Sequence, residues 1–163
     1  MDGTVNGTGD GRYELRFERA LRHPVERVWA ALTRPERLAG WLAACDRDLG
    51  SAGEYTFRFE DSTAHGTVTR AEPPTLLEYT WSSPDAPESL LRWELRPDGD
   101  AACTLVLTQV LPVRDRTPEL AAGWHSHLDA LAAVLAGGSG EWQPGRWRRL
   151  RDRYAEAAGL RRA

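Results

Sequence analysis

Three side chains in one predicted helical segment, His125, His127 and Asp129, are of types that bind metals or transfer protons. Residues two apart on a helix lie about 200° apart around its axis, so His125 and His127 cannot hold one metal ion together. His125 and Asp129 are one turn apart and can pair, with the carboxylate fixing the imidazole tautomer and raising its pKa. A hydrogen bond on the helix surface explains this pair equally well. Because no third group must join it, the pattern indicates neither a catalytic residue nor a metal site.

Composition and motifs exclude several other chemistries. Every basic residue apart from the histidines is arginine, so a Schiff-base mechanism has no lysine to use. The sequence contains no nucleophile elbow, phosphate-binding loop, zinc-protease motif or dinucleotide fingerprint, and we expect no cofactor. Cys45 and Cys103 lack the spacing of metal ligands or of a disulfide framework, which favours free thiols in a cytoplasmic protein.

The charge pattern argues against nucleic-acid binding, and the lack of a long apolar run argues against membrane insertion. The 21 basic and 24 acidic residues give a net charge of −3, without the concentrated basic face that nucleic acids require. The arginine-rich stretch 146–153 is diluted by Asp152, which is typical of a solvated helix face. Residues 1–11 are polar and do not resemble a signal peptide, and no apolar run approaches the roughly 20 residues of a membrane span. We therefore expect neither a nucleic-acid partner nor membrane insertion.

Two periodicities predict the elements that position these side chains. Between residues 53 and 111, apolar residues alternate with polar ones; Phe57 and Phe59, for example, share a face, as in an antiparallel meander. Within 117–136, apolar residues recur at steps of three and four, which predicts one long amphipathic helix. Its apolar stripe consists of Ala121, Trp124, Leu128, Leu131, Ala132 and Leu135.

The order of elements predicts an α+β fold. A strand beginning at Tyr13 is followed by two short helices that start near Pro24 and Pro35, then by the meander and the long helix. This order indicates a curved antiparallel sheet wrapped around the long C-terminal helix. With 163 residues the chain fits one domain. We expect a disordered tail at 1–11, the folded domain at 12–137, and a linker with a packing helix, predicted from Arg146 to Leu160, at 138–163.

Bulky aromatic side chains of the meander are expected to face the long helix. Aromatic residues are buried in any core, so simple core packing is one interpretation. A sheet that wraps a helix can also enclose a cavity, and small-molecule sites are largely apolar with a few fixed polar groups. In that interpretation His125 is a polar contact at the mouth of the cavity. The residues expected to line it are Trp41, Phe57, Phe59, Tyr79, Trp81, Trp93, Trp124, His125 and Leu128.

Several segments resemble a known family. The stretch 22–38, the residues Gly66-Thr67-Val68, the stretch 72–81, and Gly123-Trp124-His125 followed by Leu128 and Leu131 are similar to the activator of Hsp90 ATPase homologue-like (AHSA1-like) family. That family belongs to the START-like, SRPBCC or Bet v 1-like helix-grip superfamily. Gln109 departs from the pattern, since many relatives carry a histidine near the end of the last strand.

The resemblance implies a seven-stranded type of antiparallel sheet that grips the C-terminal helix, with a cavity between them. Members of the superfamily include lipid and hormone carriers, polyketide aromatase/cyclases and chaperone-associated domains. The favoured hypothesis is non-enzymatic binding of a small hydrophobic molecule, aromatic or lipid-like, between the sheet and the helix. The first alternative is a chaperone-associated modulator of an Hsp90-type ATPase, with that chaperone as partner. The second is an enzyme of the aromatase/cyclase or hydrolase type.

Overall fold

Eight strands and four helices follow one another in a computed structural model that describes residues 2–84, 86–112 and 117–157. The side chains of residues 86 and 87 are outside this description. The elements are β1 (Thr4–Gly7), β2 (Tyr13–Leu21), α1 (Val25–Thr33), α2 (Pro35–Leu38), β3 (Ala44–Cys45), β4 (Gly53–Arg58), β5 (Thr63–Glu72), β6 (Leu76–Ser83), β7 (Ala86–Pro97), β8 (Cys103–Leu111), α3 (Thr117–Leu135) and α4 (Pro144–Ala157).

All strand pairs are antiparallel, and together they form one open sheet in the order β1-β2-β8-β7-β6-β5-β4-β3. The strands from β3 to β8 run as a meander, and β2 pairs with β8 along its whole length, from Tyr13↔Leu111 to Leu21↔Cys103. This pairing joins the start of the chain to the end of the meander. The predicted α+β class, with an antiparallel sheet and a long helix near the C-terminus, is confirmed.

The short helices begin at prolines, as the sequence predicts. Pro24 precedes the first residue of α1, and Pro35 occupies the first turn of α2, where a missing backbone N–H costs nothing. Arg34 between them is extended, which is the conformation that a following proline favours. Val28 and Leu32 are buried and fix α1 against the rest of the core.

The long helix α3 covers one face of the sheet. Trp124, Leu128, Leu131 and Leu135 are all at most 5% exposed, so these members of the predicted stripe face the core. Ala132, the last small residue assigned to the stripe, is exposed instead. The indole of Trp124 packs edge-on against Trp93 of β7, with ring centroids 5.7 Å apart. Burial of this stripe is the main apolar contact that holds the helix on the sheet.

The N-terminal residues differ from the expected disordered tail. Thr4–Gly7 form β1, which pairs with β2 and adds an eighth strand to the seven implied by the resemblance. The backbone N–H of Gly3 donates to the hydroxyl of Tyr154, 2.8 Å away on α4. The sequence does not predict β1, because this edge strand has a single half-buried apolar residue, Val5, and therefore no alternation of apolar and polar residues.

The C-terminal helix α4 packs on α3, with Leu150 and Tyr154 buried. Its observed range, Pro144–Ala157, begins two residues before the predicted one, and the predicted residues 158–160 lie outside the described part of the chain. Among the described helices, none is long and apolar enough to cross a membrane.

Candidate ligand-binding site

A cavity of about 350 Å³ lies between α3, one end of the sheet and the C-terminal segment. This volume is at the lower end of the range of roughly 300–1,000 Å³ for small-molecule sites. It is called the large cavity below, only to distinguish it from a smaller one that adjoins it. Its lining residues are Leu42, Phe59, Ser62, Trp81, Ser83, Glu119, Leu120, Gly123, Trp124, His127, Trp142 and Trp147.

The sheet contributes two aromatic rings to the large cavity. Trp81 lies near the end of β6, and Phe59 follows directly after β4, with ring centroids 6.2 Å apart. Alternation along β6 points Leu77, Tyr79 and Trp81 to the same face. Leu77 and Tyr79 are deep in the core, whereas Trp81 is at the open end of the row and reaches the cavity.

The ring of Trp124 forms the next wall and is held by buried polar groups. Its indole N–H donates to Gln109 Oε1 at 3.0 Å, and Gln109 Nε2 donates to Ser89 Oγ at 2.8 Å. The Ser89 hydroxyl reaches the backbone carbonyl of Trp81 at 3.5 Å. Because the polar edge of Trp124 is satisfied inside the core, its apolar surface remains for a ligand.

His127 is the titratable group at the inner end of the large cavity. Its Nδ1 lies 3.2 Å from the backbone carbonyl of Trp41. The imidazole also contacts the rings of Phe59 and Trp124, with centroids 6.2 and 6.0 Å away. Removal from solvent lowers the pKa of His127 to about 4, against a smaller opposing effect of the Trp41 carbonyl. The imidazole is therefore neutral at physiological pH.

The outer wall comes from the segment that follows α3. Trp142, between α3 and α4, packs on His127, and Trp147 of α4 completes the wall. Arg151 lies over the Trp147 ring, 5.1 Å from its centroid. Arg146 pairs with Asp129 and so ties the start of α4 to α3.

A second cavity of about 210 Å³, called the small cavity below, adjoins the large one. The two share Leu42, His127 and Trp142. The small cavity has a more polar lining that includes Ser126, Asp129, Glu141, Gln143 and Arg146.

The structure distributes the nine predicted site residues over four places. Phe59, Trp81 and Trp124 line the large cavity, and Trp41 lines the small one. The other aromatic residues and the leucine lie in the filled core: Phe57, Tyr79, Trp93 and Leu128, all at most 2% exposed. Simple core packing therefore describes the four residues of the filled core. The cavity interpretation describes the four residues that line a cavity.

His125 lies away from both cavities, in contrast to its expected place at a cavity mouth. It packs against Tyr154 of α4, with 2.7 Å between Nδ1 and the hydroxyl, and edge-on against Phe17 of β2. Its Nε2 is 3.6 Å from Asp129. The expected rise in pKa is wrong, because burial lowers the pKa of His125 more than the carboxylate raises it. The contact between His125 and Tyr154, together with the Gly3–Tyr154 hydrogen bond, joins the N-terminus, α3 and α4.

Sequence reasoning missed His127, Trp142 and Trp147. The spacing of His127 from His125 brings it into the sequence argument only as a metal ligand, and Trp142 lies in the expected linker. The signal that could have identified the two tryptophans is the presence of large apolar side chains in a segment that is otherwise very polar. Among the described residues, no group of three or more histidine, cysteine, aspartate or glutamate side chains could hold a metal ion.

Comparisons with known proteins place this geometry in context. The family described as "Activator of Hsp90 ATPase homolog 1-like protein" matches residues 22–136. A search of curated proteins found no match.

Solved structures share the fold across most of the chain. A protein from Bordetella parapertussis (BPP1335) is 32% identical, with a TM-score of 0.71 and coverage of 88% of this chain and 85% of its own. CalU16 from Micromonospora echinospora is 24% identical, with a TM-score of 0.76 and coverage of 98% and 96%. DynU16, a protein in the dynemicin biosynthetic locus, is 26% identical, with a TM-score of 0.73 and coverage of 79% of this chain and 49% of its own.

Proposed function

We propose that this chain, which belongs to the activator of Hsp90 ATPase homolog 1-like family, binds a small hydrophobic, ring-bearing molecule in the large cavity without transforming it. The observation that carries the proposal is the aromatic lining contributed by Phe59, Trp81 and Trp124. Rings arranged edge to face present apolar surface at several angles, which suits a flat aromatic ligand.

The polar groups of the large cavity support binding rather than catalysis. Glu119 and His127 both line it, but they are eight residues apart on α3, about 12 Å along the helix axis. General acid–base catalysis needs a group within hydrogen-bond reach of the transferred proton, and these two cannot act on one small substrate atom. The aromatase/cyclase or hydrolase alternative therefore receives less support.

Modulation of an Hsp90-type ATPase is the alternative that the family description favours. A protein partner does not need an internal cavity, whereas a small ligand does. The large cavity is the reason to prefer the ligand. We propose a cytoplasmic location, in agreement with the free thiols of Cys45 and Cys103.

Gly123 allows a direct test, because it lines the large cavity in the middle of α3. A Cβ at this position would approach Trp147 Nε1 no closer than 3.9 Å, so a larger side chain would occupy the cavity without a backbone clash. Replacing a helical glycine also removes a propensity penalty of about 1 kcal/mol. Gly123→Leu is thus a plugging variant that should remain folded.

The experiment titrates the protein with phenylnaphthylamine, an apolar fluorescent dye, and follows tryptophan quenching. Wild type should show saturable binding, and Gly123→Leu should weaken it at least tenfold. Gly145→Leu is the matched control: Gly145 is also helical, lies outside both cavities and has space for a Cβ, 3.5 Å from Arg149. Absence of saturable binding across a panel of apolar dyes, or equal binding by the plugged variant, would refute the proposal.

A further inference from the structure

His127 is the polar group at which the large and small cavities meet. Leu42 and Trp142 are the other residues common to both linings, and neither has a side-chain group that can accept a hydrogen bond from a ligand. Leu42 is aliphatic, and the Trp142 indole is only a donor. A ligand that occupies the large cavity and reaches its inner end therefore encounters the imidazole.

The contact with Trp41 determines which histidine nitrogen carries the proton. A backbone carbonyl can only accept, so His127 Nδ1, at 3.2 Å, must be the donor. In the neutral imidazole the other nitrogen, Nε2, is then a hydrogen-bond acceptor. Within the part of the chain that the structure describes, Nε2 has no hydrogen-bond partner. The pKa of about 4 supports the neutral form under ordinary conditions.

The surroundings make this acceptor selective. Rings of Phe59, Trp124 and Trp142 lie 6.2, 6.0 and 5.1 Å from the imidazole, centroid to centroid. An acceptor surrounded by apolar rings loses its contact with water when a ligand enters. A ligand without a donor leaves Nε2 unsatisfied, whereas a hydroxyl replaces the lost water.

We propose that the ligand is a hydroxyaromatic molecule whose hydroxyl donates to Nε2 of His127, with its rings in the large cavity. This inference rests on the proposed function and adds a polar requirement to it. The small cavity gives room for a polar substituent beyond the hydroxyl. Ser126 on its wall has a buried hydroxyl oxygen that, among the described residues, has no hydrogen-bond partner.

The test compares a naphthol with two molecules that lack the donor, naphthalene and the methyl ether of the naphthol, by isothermal titration calorimetry at pH 7. The naphthol should bind wild type about tenfold more tightly than either. If apolar burial alone determined affinity, the methyl ether would bind more tightly than the naphthol, because the ether is the more hydrophobic of the two. One comparison molecule is smaller than the naphthol and the other is larger, so ligand size cannot produce the preference.

His127→Phe should reduce the preference for the naphthol over naphthalene and over the ether to about one. His65→Phe, at an exposed position of β5 outside both cavities, should keep the wild-type preference. If none of the three molecules binds, the proposed function fails. If naphthalene and the ether bind wild type as tightly as the naphthol, the cavity is used but the hydroxyl inference is overturned. The wild-type comparison decides this even where a variant does not fold.

Discussion

The ring of Trp142 lies over the imidazole of His127, with centroids 5.1 Å apart and planes inclined by 35°. Trp142 is nevertheless 47% exposed, so one side of it covers the cavity and the other meets solvent. The contact places a residue from outside the sheet and long helix directly on the polar group of the site.

Removal of this cover should weaken binding more than folding. Trp142→Ala opens both cavities to water, and we expect the affinity for an apolar dye to fall severalfold. The free energy of unfolding should change by no more than about 1 kcal/mol, because the side chain is half exposed. Trp142→Phe retains a ring over His127 and should keep most of the affinity. Dye binding by the alanine variant at wild-type strength would show that Trp142 is not part of the site.

The buried stripe of α3 gives a stability prediction. Leu128 is 2% exposed, and Leu128→Ala should lower the free energy of unfolding by about 2–5 kcal/mol, through lost transfer energy and the cavity left behind. Leu90→Ala, at a position that is 36% exposed, is the matched control and should cost less. Urea denaturation measures both. A loss below about 0.5 kcal/mol for Leu128→Ala would contradict its burial in the core.

Gln109 is expected to stabilise the protein through Trp124. Gln109→Leu leaves the indole N–H and the Ser89 hydroxyl without their partner and should cost about 1–3 kcal/mol. A double-mutant cycle with Trp124→Phe separates this effect from general loss of packing, because phenylalanine has no N–H. We expect a coupling energy of about 0.5–1.5 kcal/mol. Additive effects of the two changes would show that the bond contributes nothing to folding.

His127 should make the protein less stable in acid. Its pKa is about 4 in the fold and about 6.5 in the unfolded chain, so the unfolded state binds more protons between these values. The neutral histidine favours the fold fully above pH 6.5, and this contribution is lost as the pH falls toward 4. His127→Phe should therefore reduce the decrease in unfolding free energy between pH 7 and pH 5 by about 1–2 kcal/mol. His125 shifts in the same direction and remains in both proteins, so parallel pH curves would exclude the contribution of His127.

Gly66 is required by a close approach of backbones. A Cβ on this residue would overlap the carbonyl oxygen of Thr80 on β6, so Gly66→Ala must separate β5 from β6. We expect a loss of at least about 2 kcal/mol in unfolding free energy. Gly7→Ala, on the edge strand β1 with open space around the added carbon, should be tolerated. Equal stability of the two variants would contradict the close approach.

The sequence predicts the fold well because local periodicity determines most of it. The alternation that ends in Trp81 and the stripe around Leu128 each specify an element and its buried face. The strand β1 could not be predicted, because an edge strand of polar residues has no such pattern. It is held by pairing with β2, and the preceding residue, Gly3, bonds to Tyr154, which is 151 positions away.

The site was less predictable than the fold. The contacts of His125 and His127 on α3 depend on how α4 and the segment before it pack, and periodicity carries no information about that packing. Periodicity places His125 beside the Trp124 stripe but does not reveal that α4 covers it with Tyr154. It also leaves His127 without a role, since its neighbours Phe59 and Trp142 come from distant parts of the chain. Tyr79 and Trp93 were predicted as lining, but they satisfy each other in the core, with 2.9 Å between the indole nitrogen and the hydroxyl.

The location of Trp142 and Trp147 has a consequence for protein engineering. Both lie beyond residue 136, where the family match ends, yet both line the large cavity. The family match thus covers β3–β8 and α3, whereas part of the wall of the large cavity lies outside it. A library confined to 141–143 would vary the cover over His127, because these three residues are exposed and none belongs to the hydrophobic core.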